Sequence, residues 1–138
     1  MKRHLTIALP IALVASALLA TPVLAASALR AFNGTWKGNG ETITYKLNDI
    51  YMTMKDSNGT SYGAMLGGAK VPLKGDKTGT QIALTRVAER TIEEMYTRKG
   101  QPVRVVKATV APDGKTMTVT EADLSAGKTD HWTATKKR

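Results

Sequence analysis

The sequence predicts an all-β protein: an up-and-down antiparallel meander barrel of about ten strands, following an N-terminal signal helix. Three observations predict it. A basic and then apolar head ends in small residues. Turn signals recur at a nearly even interval over the rest of the chain. Between the turns, apolar and polar residues alternate.

The head is Met1-Lys2-Arg3-His4, then Leu5 to Leu19, apolar apart from Thr6, Pro10 and Ser16. Thr21-Pro22 breaks a helix, and Val23-Leu24-Ala25 offers the small residues a signal peptidase reads. The apolar run falls short of the ~20 residues a membrane-spanning helix needs. The expected arrangement is a signal peptide over residues 1–25, cleaved after Ala25, with Ala26 or Ala28 as alternatives, and one β-barrel domain over residues 26–138. That places the protein outside the cytoplasm, in a periplasm or extracellular space. The chain has no cysteine, so closure and packing of the sheet, not disulfides, must stabilise it.

The turn signals are Gly38-Asn39-Gly40, Asn48-Asp49, Ser57-Asn58-Gly59, Gly67-Gly68, Gly75 to Gly79, Ala88-Glu89, Arg98-Lys99-Gly100, Pro112-Asp113-Gly114 and Ser125-Ala126-Gly127. Asn-Gly and Asp-Gly favour the positive φ of tight hairpins. These nine breaks leave ten short segments. Within them Ile43, Tyr45 and Leu47 share a face, as do Ile50, Met52 and Met54, Ile82 and Leu84, Ile92, Glu94 and Tyr96, and Met117 and Val119. A flat meander of that length would expose two edges, so curling into a barrel is the simplest arrangement, with a two-sheet sandwich as the alternative.

With Lys2 and Arg3 removed, 18 Lys and Arg face 11 Asp and Glu, a net charge of +7. The positive charges are dispersed, apart from Arg98-Lys99 and Lys136-Lys137-Arg138. They solvate a barrel exterior or give weak contact with an anionic envelope surface. The few aromatics do not interleave with basic residues, which argues against nucleic acid as a partner. A monomer is expected.

Phe32-Asn33-Gly34-Thr35-Trp36-Lys37 resembles the opening of the calycins, the superfamily of lipocalins and intracellular fatty-acid-binding proteins. A nearer resemblance is to exported bacterial lipocalin-like barrels. It rests on the order of Thr42-Ile43-Thr44-Tyr45, then Ala69-Lys70-Val71-Pro72-Leu73, then Glu89 to Tyr96, then Ala111 to Thr120. The resemblance implies a barrel holding a small hydrophobic molecule. It also implies closure of one end by Phe32, Gly34 and Trp36 under a cation from the last strand. Lys136, Lys137 and Arg138 lie near that place, and Arg138 is the better stacker. Two features depart from the fatty-acid-binding pattern. Gly38-Asn39-Gly40 leaves no room for a helical lid, and His131 to Thr135 lacks the Arg-x-Tyr carboxylate clamp.

Alternation makes Tyr45, Met52, Met54, Ile92, Glu94, Tyr96, Arg104 and Met117 the candidate cavity residues. Glu94 and Arg104 are expected near each other across a hairpin, as a polar anchor in the cavity or as a structural ion pair. The methionines either line an adaptable pocket or fill a core. His131, the one histidine left after cleavage, has no metal-ligand companions at useful spacing, and no cofactor is expected. Asp56-Ser57-Asn58-Gly59 lacks the later Glu of a calcium loop and reads as a turn. No nucleophile elbow or carboxylate pair suggests catalysis. The function expected is ligand carriage. The alternative is a solid barrel that binds an envelope partner through its outer surface.

Overall fold

The structure is a computed structural model that describes residues 28–138. The expected signal peptide, with its helix, falls on residues outside those described. A 3-10 turn, Arg30–Phe32, leads into ten strands. They are Gly34–Gly38 (β1), Glu41–Asn48 (β2), Tyr51–Asp56 (β3), Ser61–Met65 (β4), Val71–Pro72 (β5), Gln81–Ala88 (β6), Thr91–Arg98 (β7), Gln101–Val110 (β8), Thr116–Asp123 (β9) and Lys128–Lys136 (β10).

All ten belong to one antiparallel sheet in the order β4-β3-β2-β1-β10-β9-β8-β7-β6-β5. A sandwich of two sheets is thereby excluded. The first and last strands pair, with Trp36 opposite Lys136 and Lys37 opposite Thr135. Gly38 permits the close approach, since a Cβ there would stand 2.6 Å from the Thr133 carbonyl oxygen. The seam lies between β4 and β5 instead. There Ser61 and Lys74 exchange two backbone hydrogen bonds of 3.0 and 2.8 Å, and Gly67 N donates to Leu84 O at 2.7 Å. The barrel is therefore nearly closed. β5 is short, and its bonding to β6 runs one residue past Pro72, where Leu73 N donates to Thr80 O at 2.9 Å.

Alternation decides which side chains fill the inside. Met52, Ile82, Leu84, Ile92 and Met117 are fully buried. Threonines pair across strands: Thr35 with Thr44 (2.9 Å) and Thr91 with Thr109 (2.8 Å).

One irregularity sets the site. The β7–β8 hairpin begins with Arg98 opposite Gln101 and Thr97 opposite Pro102. The ladder then skips Val103, so Arg104 falls opposite Tyr96. Without that extra residue Arg104 would oppose Met95 and point outward with it. The bulge brings Arg104 to the face shared by Glu94 and Tyr96.

Candidate functional site

The two ends of the barrel differ. At the closed end Leu29, Phe32 and Trp36 are fully buried. The indole Nε1 of Trp36 donates to Phe32 O at 2.8 Å, so its one polar atom is satisfied inside the core. Phe32 meets Tyr45 edge to face, ring centroids 5.8 Å apart. Gly34, at φ +129°, turns the chain from the 3-10 segment into β1. Asn33 holds the neighbouring strand, accepting from Leu47 N and donating to Leu47 O.

The cation over Trp36 is Lys136, not the expected Arg138. Lys136 Nζ sits 4.8 Å from the Trp36 ring and donates to Ala31 O at 2.9 Å. Register explains the correction. Lys136 stands directly opposite Trp36 at the end of β10, so both project to the same face, whereas Arg138 lies beyond the strand and is exposed.

Toward the other end a cavity of about 590 Å³ opens between the hairpin tips. Ile43, Met54, Leu73, Val106, Val119 and Trp132 supply its apolar wall. The polar groups form a belt: Glu94, Tyr45 and Tyr96 deeper in, and Glu41, Asp56, Asp76, Glu121, Asp123, Arg98 and Arg104 toward the mouth.

Glu94 is the centre of the belt. Its carboxylate accepts from Tyr62 (2.6 Å) and Tyr45 (3.3 Å) on one oxygen and from Tyr96 (2.8 Å) on the other. Burial pushes its pKa up, against the opposing effect of the tyrosine hydrogen bonds and of Arg104. Burial, and then the adjacent Glu94 charge, holds all three phenols above the ordinary tyrosine range.

Glu94 and Arg104 do not form the expected direct pair. Glu94 stands opposite Val106, one residue pair away from Arg104 on the same face. Arg104 turns instead to Glu121, Nε to Oε1 2.8 Å, and lays its guanidinium over the Tyr96 ring at 4.6 Å. The contact with Glu121 is an ion pair without hydrogen-bond alignment at Nε.

The mouth acids are held by their own turns. Asp56 accepts from Asn58 N and Thr60 N, Asp76 from Thr80 N and the Thr78 hydroxyl, and Asp123 from Ser125 N and Ala126 N. These bonds hold Asp76 and Asp123 below the usual carboxylate range. Glu41 is pushed the other way, first by partial burial and then by Asp56.

Of the sequence-predicted cavity residues, Tyr45, Met54, Glu94, Tyr96 and Arg104 line the cavity. Met52, Ile92 and Met117 are packed in the hydrophobic core and not along its wall. The methionines thus divide, since Met65 is exposed. His131 is exposed on β10, with Nδ1 3.1 Å from the Thr120 hydroxyl. Sequence reasoning missed Tyr62 and Trp132. The alternations Tyr62/Ala64 and Trp132/Ala134 carry that signal.

A ten-stranded antiparallel near-barrel with a plugged base and an interior cavity defines a class. The fold is that seen in a fatty-acid-binding protein. Among solved structures, the chain is similar to a Schistosoma mansoni fatty acid binding protein in complex with arachidonic acid. The TM-score is 0.62 at 15% sequence identity, covering 80% of this chain and 99% of that one. No protein-family model matches the sequence, and comparison with curated proteins gives no match.

Proposed function

We propose that this chain is an exported binding protein that holds a small, largely hydrophobic molecule inside the barrel, with the polar part of the ligand at Glu94. The observation that carries the reading is the cavity of about 590 Å³ that opens beside the packed core. Ligand sites commonly occupy 300–1,000 Å³, with apolar walls and few convergent polar groups. A solid barrel acting only through its outer surface would have no such space. The similar solved structure is that of a binding protein, which supports binding over catalysis.

Trp132 lines the cavity while Trp36 is sealed in the base, so ligand entry has a built-in reporter. Titration with decanol is expected to give a saturable change in tryptophan fluorescence that disappears in Trp132→Phe. Val106→Trp, which fills the wall, is expected to weaken binding at least ~10-fold, a loss of about 1.4 kcal/mol. Unchanged affinity in Val106→Trp, measured by calorimetry on a variant that melts as wild type, would place the ligand elsewhere.

The export part of the proposal rests on residues 1–25. Expressed with an intact secretion pathway, the protein is expected to begin at Ala26 by intact-mass measurement. A mature form retaining Met1 or Lys2 contradicts cleavage.

A further inference from the structure

The charge on this protein is unevenly distributed. The whole sequence carries 20 Lys and Arg against 11 Asp and Glu. Yet the cavity is lined by six of those acids, Glu41, Asp56, Asp76, Glu94, Glu121 and Asp123, and by two basic residues, Arg98 and Arg104. A strongly basic protein thus surrounds its cavity with net negative charge. Low-dielectric walls focus such a field into the cleft.

Both basic side chains are engaged. Arg104 is paired with Glu121 and stacked on Tyr96. Arg98 contacts the Thr80 hydroxyl at 3.3–3.4 Å. Glu94, by contrast, is 3% exposed and has no ion-pair partner among the described residues. Its hydrogen-bond partners among the described residues are three neutral hydroxyls, and Arg104 acts on it only from a distance. A buried carboxylate ordinarily finds a counter-charge. Here the adjoining space is cavity, and Tyr45 and Trp132 supply aromatic surface around it, the Tyr96 face being covered by Arg104. Aromatic faces attract cations, most strongly where water is excluded.

We propose that the cavity selects a ligand with a cationic head, a small amphiphilic amine or quaternary ammonium, seated against Glu94 and its tyrosines with its apolar body along the Met54–Val106–Trp132 wall. The proposal rests on the cavity being a ligand site. It also reverses the polarity expected for a fatty acid, whose carboxylate would meet Glu94 and the acidic mouth as like charges.

Three ligands of equal chain length separate the possibilities: decylammonium, decanol and decanoate, each titrated by calorimetry at pH 7 and fixed ionic strength. Decylammonium is expected to bind at least ~10-fold more tightly than decanoate, with decanol between them. Glu94→Gln is expected to lower decylammonium affinity at least ~10-fold more than it lowers decanol affinity. Glu121→Gln releases Arg104 and is expected to narrow the preference in favour of decanoate. That second variant carries the test should Glu94→Gln fail to fold. If decanol binds and decylammonium is no tighter, or if decanoate binds most tightly, the cationic-head assignment is overturned while the cavity remains a ligand site. If none of the three binds, both readings are overturned.

Discussion

Trp36→Ala is expected to destabilise the fold by about 3–5 kcal/mol, the usual cost of emptying a large buried aromatic site. Against the 5–15 kcal/mol that holds a typical domain, this brings the variant close to the unfolding threshold. The effect is large because one side chain serves three contacts. Its ring occupies the base with no solvent exposure, its indole N–H satisfies Phe32 O, and its face receives Lys136. Trp36→Phe restores most of the volume but leaves Phe32 O without its donor, so about 1–3 kcal/mol is expected. Urea unfolding followed by circular dichroism measures both changes. An alanine variant within about 1 kcal/mol of wild type would show that the base tolerates a void, contrary to the large-to-small rule.

How much of this could be read beforehand depended on the range of the physical signal. The hairpin positions were legible because Asn-Gly, Lys-Gly and Asp-Gly act locally, through backbone conformation. Asn39, Asp49 and Lys99 do take positive φ, as does the glycine following Asn39 and Lys99. The inward placement of Tyr45, Glu94 and Tyr96 was legible from period two. Arg104 was legible as inward from its alternation with Val106, Ala108 and Val110, but its register opposite Tyr96 needed a further fact, the bulge at Val103. Sequence gives only a hint of it in the neighbouring Pro102, which cannot donate. The partners of Glu94 were not legible. Tyr45 and Tyr62 lie 49 and 32 residues away, and only curvature of the closed sheet brings them together. The cation over Trp36 was misassigned for the same reason. Composition favours Arg138 as a stacker, but register across a long-range strand pair selects Lys136. The seam between β4 and β5 is another long-range outcome, although Gly67-Gly68 and Pro72 mark the weak pairing locally.

Glu94 has the second large effect, and its sign depends on pH. Glu94→Ala leaves the hydroxyls of Tyr45, Tyr62 and Tyr96 without their acceptor. Tyr45 and Tyr96 line the cavity and can reach water, so each hydroxyl is expected at the low end of the cost of an unsatisfied group, giving a total of about 3 kcal/mol. Glu94→Gln keeps an acceptor and removes the ionisable charge. Because burial raises the pKa of Glu94 in the folded protein above its ordinary 4.5, the folded state retains a proton that the unfolded state has released at intermediate pH. Above the raised value, the folded state carries a desolvated charge and is penalised in full. As pH falls through the folded pKa toward 4.5 the penalty is relieved, and below 4.5 it is absent. The melting temperature of Glu94→Gln relative to wild type is therefore expected to be highest near pH 8 and to decline toward pH 4.5. Glu41 titrates in the same direction, and Asp76 and Asp123 in the opposite one, but all three are present in both proteins and cancel in the difference. Each unit of raised pKa corresponds to about 1.4 kcal/mol. A difference that stays flat from pH 4.5 to 8 would mean that the three phenol hydrogen bonds stabilise the carboxylate as well as water does, so that burial leaves its pKa unraised.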